Sequence, residues 1–175
     1  MKKIFVTLVL FCLAFAAGCD DGRAKVRNWQ NPDGKLQMDI PEGWRETPPP
    51  QGFFVQFRAP RADDGFYATI TVEVRPVREE QTFQEHIHLA DLELADGCAG
   101  VEFLERLELD AEGLEGRGVY IRRPAGRARL KMLRAYFIQD SDFYIITCTS
   151  LEKHFGSHLV EFQKTCRSFY PKPEP

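Results

Sequence analysis

Serine is scarce in this chain. Four stand among 175 residues, at positions 141, 150, 157 and 168, and none sits in a Gly-x-Ser-x-Gly elbow. The commonest frame for serine hydrolysis is therefore missing. There is no Cys-x-x-Cys and no His-Glu-x-x-His, which removes the usual spacings of zinc and dithiol sites. Gly113, Gly116 and Gly118 lack the residues that complete a phosphate-binding loop. A basic excess is also absent: 23 Lys and Arg face 26 Asp and Glu, a net charge of −3, which argues against a nucleic-acid binder. The one long apolar run, residues 4–17, is shorter than the roughly 20 residues that span a bilayer. What remains is ordinary: 43% hydrophobic and 12% aromatic residues, enough for one globular domain.

The N-terminus reads as an address. Lys2 and Lys3 precede the apolar run, which ends in Ala16, Ala17, Gly18 and Cys19, followed by Asp20 and Asp21. A cationic start, a short apolar stretch and small residues make a secretory signal. Its end resembles the lipobox of bacterial lipoproteins, with Ala16 where Leu is usual. That resemblance implies a signal peptide over residues 1–18, cleavage between Gly18 and Cys19, and a diacylglyceryl group on the Cys19 thiol. It further implies a lipid-anchored domain in the cell envelope, facing the periplasm or exterior, because several acyl chains anchor stably. Asp20 after the lipidated cysteine points toward the inner membrane, by the rule of enteric bacteria. An ordinary secretory signal with an incidental cysteine is the competing reading. Cleavage removes two lysines and no acid, so the mature chain carries 21 basic and 26 acidic residues.

Of five cysteines, Cys12 leaves with the signal and Cys19 is the lipid site, so Cys98, Cys148 and Cys166 remain. Cys148 lies on a strand-like run and Cys166 on the apolar face of the last helix. They are candidates for a disulfide in an oxidising compartment; three small buried hydrophobes are the alternative.

Residues 19–34 are polar and read as a lipidated N-terminus and tether, closing in a turn at Asn31, Pro32, Asp33 and Gly34. Residues 36–40 alternate as a first strand, with further strands over 53–57 and 67–77. Phe83, Ile87, Ala90 and Leu94 then form one stripe of a helix over about residues 79–95. Strand-like runs follow at 101–109, 114–123, 127–139 and 142–150, joined by turns short enough to require antiparallel hairpins. Phe155, Leu159, Phe162, Cys166 and Phe169 mark a second amphipathic helix, and residues 171–175 are an aperiodic Pro-rich tail. The expected fold is α+β: one largely antiparallel sheet of about six to seven strands covered by two helices, over residues 35–170.

The segment from Asp33 to Trp44, a strand running into Pro41, Glu42, Gly43 and Trp44, resembles the opening of PsbP-like domains. Residues 142–148 and the helix ending in Cys166, Arg167, Ser168 and Phe169 resemble the close of the same domains. Among the superfamily, the bacterial DcrB-type lipoproteins are the nearest analogue. The resemblance implies an α/β/α sandwich and an adaptor or accessory role. It supplies no catalytic residues.

Candidate chemistry is thin. His154 and His158 stand i, i+4 and are a weak candidate pair for a metal ion. His86 and His88 are two apart on a helix and point about 200° from one another. Cys98 in a turn is a distant candidate nucleophile. No cofactor is called for. Charge is more informative: residues 79–115 hold twelve acids and one arginine, whereas residues 117–134 hold seven basic residues and no acid. Neighbouring strands of opposite charge pair with one another. A functional alternative is a basic hairpin of Arg122, Arg123, Arg127, Arg129 and Lys131 that meets lipid headgroups or an acidic partner.

The sequence thus leaves two leading readings, both non-enzymatic. One is an envelope adaptor that binds another envelope protein and presents an exposed patch. The other is a small-ligand or metal-binding module, expected to show a concave pocket with convergent polar groups. A hydrolase using Cys98 is the third. No nucleic-acid partner is expected.

Overall fold

The computed structural model describes residues 25–173. The signal peptide, the cleavage site at Gly18 and the lipid site at Cys19 lie outside the described residues. In chain order the elements are β1 (Val26–Gln30), β2 (Leu36–Pro41), β3 (Arg45–Thr47), β4 (Val55–Asp63), β5 (Phe66–Pro76) and α1 (Phe83–Gly97). There follow β6 (Glu102–Glu108), β7 (Gly116–Ala125), β8 (Ala128–Gln139), β9 (Asp142–Leu151), a 3-10 turn (Glu152–His154), α2 (Phe155–Arg167) and β10 (Tyr170–Pro171).

Seven strands build an antiparallel sheet in the order β3-β4-β5-β9-β8-β7-β6. The α+β class and the two covering helices agree with the sequence, but the first strand does not join this sheet. It forms a second, three-stranded sheet, β1-β2-β10. Of the residues 19–34 expected as tether, 26–30 are a strand. Trp29 fixes it: the indole packs edge-on against Phe57 at 5.2 Å and its Nε1 donates to Glu46 Oε2 at 2.9 Å. The tail is also shorter than expected, because Tyr170 and Pro171 pair with Gln37 and Leu36. Proline is tolerated there because β10 is an edge strand.

Strand alternation decides which helix covers which face. Phe57, Ile70, Val72, Leu133, Ala135, Ile146 and Cys148 point to one side, where they meet Phe155, Phe162 and Cys166 of α2, Met38 and Ile40 of the small sheet, and Trp44 in the turn that follows it. On the other side Val119, Ile121, Met132, Tyr136, Phe143 and Ile145 lie beneath Ile87 and Ala90 of α1. The order of layers is an α/β/α sandwich.

Helix α1 begins at Phe83, four residues later than periodicity suggested, because Thr82 and Glu85 close a capping box. The Glu85 amide donates to Thr82 Oγ1 at 3.3 Å, and the Thr82 amide donates to Glu85 Oε2 at 2.7 Å. That backbone amide, with the Thr82 hydroxyl, holds the Glu85 carboxyl below its usual range.

Candidate binding cleft

Two rows of side chains run across the α1 side of the main sheet. In one, Arg58 pairs with Thr69, Thr69 with Thr149, Thr149 with Met132 and Met132 with Ile121. In the next, Gln56 pairs with Thr71, Thr71 with Thr147, Thr147 with Arg134 and Arg134 with Val119. Polarity changes along each row. The apolar side chains lie on β7 and β8 under α1, and the threonines lie on β5 and β9 beyond it. The uncovered half is the floor of a cleft of about 550 Å³. Leu94 and Cys98, at the C-terminal end of α1, form one wall, and Gly65, Phe66 and Tyr67 form one end. Asp64 and Gly65 both have positive φ, 47° and 80°, as a two-residue hairpin turn requires, and this turn sets that end.

The electrostatics of the cleft rest on arginines. Arg134 is 6% exposed; its Nη1 donates to the Ala90 carbonyl oxygen at 3.0 Å, and its guanidinium carbon lies 5.5 Å from the Tyr136 ring centroid. Arg123 is half-buried, and its Nη1 lies 3.7 Å from the Cys98 sulfur. Arg58 stacks on Tyr67, 3.5 Å from the ring centroid. Among the described residues none of the three forms an ion pair with a carboxylate. The cleft's one acid, Glu73, is taken by Arg75 at 2.6 Å.

Under α1 the polar groups are satisfied instead. The buried Asp91 carboxylate accepts from Arg106 Nη2 at 2.7 Å and from the Tyr136 hydroxyl. Burial first, with the Asp91 charge beside it, pushes the Tyr136 phenol far above its usual range, so it remains a donor. His86 is also internal: one ring nitrogen faces the Thr82 carbonyl oxygen at 2.9 Å and the other accepts the Arg78 amide at 3.1 Å. Because the Arg78 amide donates to Nε2, the proton sits on Nδ1.

The other sequence-derived candidates are scattered. Arg122 and Arg123, adjacent on β7, point to opposite faces. Arg122 pairs with Glu102 at 3.0 Å and Glu152 at 2.6 Å, while Arg123 enters the cleft. Lys131 lies over Tyr120 and Phe155 on the α2 side. Arg127 and Arg129 are exposed at the β7–β8 turn, where they line a second hollow with Asp64 and Lys153. His154 is in the 3-10 turn and His158 in α2; each faces its own aspartate, Asp64 at 2.7 Å and Asp63 at 2.9 Å. No group of three or more His, Cys, Asp or Glu able to hold a metal occurs among the described residues. Cys98 has the Arg123 guanidinium, and no histidine, as its hydrogen-bond partner. Cys148 and Cys166 are buried free thiols with sulfurs 3.8 Å apart. No helix among the described residues is long and apolar enough to cross a membrane.

A concave pocket was expected of a ligand-binding module, but the residues that line this one were not singled out. Its signal was present in the i, i+2 threonines at 69 and 71 and at 147 and 149, which alternate with Ile70 and Cys148.

No family model and no curated protein matches the chain. Solved structures do. The cyanobacterial PsbP (CyanoP) of Synechocystis sp. PCC 6803 superposes with a TM-score of 0.66 at 15% identity, over 91% of this chain and 98% of that one. LpqN, described as involved in cell envelope biogenesis of Mycobacterium tuberculosis, gives 0.67 at 10% identity, over 87% and 94%. The Ran-binding protein Mog1p of Saccharomyces cerevisiae gives 0.60 at 14% identity, over 86% and 97%. The chain has a PsbP-like fold. At these identities the likeness is one of architecture, and the site must be argued from its own residues.

Proposed function

We propose that the protein is a lipid-anchored, non-enzymatic accessory protein of the cell envelope that holds a small envelope ligand in the cleft. One observation carries the reading: a concave, threonine-floored site of about 550 Å³ is lined by arginines that no carboxylate among the described residues neutralises. Its volume lies within the usual range for small-ligand sites, and its polar groups converge. The adaptor reading requires a patch rather than a concavity. A metal module requires ligands that converge, and His154 and His158 each face a different aspartate.

The lipobox supplies the anchor. Lys25 is held at the edge of the small sheet, where its carbonyl oxygen accepts the Glu42 amide at 2.9 Å. The residues between Cys19 and Lys25 reach at most about 20 Å when fully extended, so the tether keeps the domain close to the membrane. Arg127 and Arg129 are the members of the basic hairpin exposed to meet anionic headgroups. The envelope role of LpqN is compatible with this setting.

Membrane fractionation with in-cell crosslinking tests the proposal. The wild-type chain is expected in the membrane fraction and the Cys19→Ala chain in the soluble fraction, with no stoichiometric protein partner on either. A Cys19→Ala chain that stays with the membrane refutes the lipid anchor. A single envelope protein captured stoichiometrically by the tethered form establishes the adaptor instead.

A further inference from the structure

Five described arginines are buried or half-buried: Arg75, Arg117, Arg122, Arg123 and Arg134. Three of them hold carboxylates, with Arg75 on Glu73 and Glu93, Arg117 on Glu115, and Arg122 on Glu102 and Glu152. The two that pair with no carboxylate among the described residues, Arg123 and Arg134, both line the cleft. Taking a guanidinium out of water without a counter-charge is costly, and arginine is almost never fully buried unless paired. Arg134 meets one carbonyl oxygen, and its other N–H groups have no acceptor among the described residues.

Resting on the reading of the cleft as a ligand site, we infer that the ligand is a small organic acid whose oxyanion, a carboxylate or a phosphate, seats on the Arg134 guanidinium. The planar N–H fork matches such a group in a bidentate manner. Thr147 is the cross-strand partner of Arg134, and Thr149 and Thr69 continue the floor. Their hydroxyls make no hydrogen bond to a described residue, so they are available to the ligand's polar atoms. Arg123 and Arg58 stand on the walls, and Leu94 and Met132 offer apolar contact to a carbon skeleton. Glu73 does not compete, because Arg75 neutralises it.

The position of the floor selects a compact ligand over an extended peptide. β5 and β9 are interior strands with both ladders filled, so no strand can be added there and recognition falls to side chains.

The test is isothermal titration calorimetry on the lipidated protein in detergent micelles. The probes are citrate, inorganic phosphate and, as an uncharged control, glycerol. Citrate or phosphate is expected to bind one to one and glycerol not at all; the tighter of the two anions identifies the oxyanion. Arg134→Lys and Arg123→Gln should each weaken binding about tenfold or more, the scale of a lost charged hydrogen bond. Arg167→Gln, exposed at the end of α2 and outside the cleft, should leave it unchanged. Arg123→Gln removes only a contact to a sulfur, so it reports on binding even if Arg134→Lys fails to fold. Absence of binding by both anions, or equal affinity in the two cleft variants and the wild type, overturns the inference. If the protein isolated from its own envelope then still carries an uncharged small molecule, the cleft reading stands and only the ligand class falls. If it carries none, both fall.

Discussion

The sulfurs of Cys148 on β9 and Cys166 on α2 lie 3.8 Å apart in the core, although the residues are 18 positions apart in sequence. Burial, and then the hydrogen bond to Cys166, pushes the Cys148 thiol well above its usual range. The reactive thiolate is therefore scarce once the core has closed. In an oxidising envelope the account expects this pair to bridge during folding. Alkylation of the denatured, unreduced mature protein should then modify Cys98 alone, and all three free cysteines after reduction. Three modified cysteines without reduction would count against export to such a compartment. Loss of the bridge should cost about 3 kcal/mol.

Gly116 opens β7 where no side chain fits. An added Cβ would stand 2.1 Å from the Leu109 carbonyl oxygen and 2.3 Å from the Phe137 ring. The first is backbone, held against β7 by the Leu109 amide, which donates to the Gly116 carbonyl oxygen at 3.1 Å, and cannot move aside. Gly116→Ala should lose about 3 kcal/mol in urea unfolding. Gly113, with nothing within 4 Å, has only its positive φ of 86° to resist a side chain, so Gly113→Ala should cost about 1 kcal/mol.

His158 titrates against two acids. Its hydrogen bond to Glu161, and that to Asp63, raise its pKa above the usual value despite partial burial. A raised folded pKa means stabilisation that is complete below the unfolded value of about 6.5 and lost as pH climbs through the folded value. Stability should thus fall from pH 6 to 8, and His158→Gln should flatten that slope in denaturation curves taken across the range. Asp64 acts at the other extreme. Lys153 first, and then His154, lower it to about 2, so its contribution is present above the normal carboxylate pKa and disappears as pH falls toward 2.

Thr82→Ala removes the α1 cap and leaves the cleft floor untouched. Stability should drop by about 1 kcal/mol, and amide exchange should quicken in the first turn of α1. Protection at Thr147 and Thr149 should remain, since their amides belong to the interior of the main sheet.

Much of the fold was legible because period-2 and period-3.6 patterns survive where one face is buried. Ile70, Val72 and Val74 announced β5, and Phe155, Phe162 and Cys166 announced α2. Strand β1 was not legible, because Trp29 is its one buried residue and exposed polar residues flank it. The small sheet was not legible either, since it joins Leu36 to Pro171 across nearly the whole chain. The cleft needed register: Thr147 and Arg134 face each other only once β8 and β9 are paired. Arg122 and Arg123 are consecutive on a strand, so alternation sends them to opposite faces, and it takes the sheet's register to show that Arg123 is the one that enters the cleft.

The central claim is that the open half of the main sheet holds a small ligand. Native mass spectrometry of the protein purified from its own envelope tests it directly, with a Thr149→Trp variant whose indole fills the cleft floor. The account predicts a non-covalent mass increment on the wild type that is lost on denaturation and is missing from the variant. Identical native and denatured masses in the wild type, or an increment that Thr149→Trp retains, would contradict it.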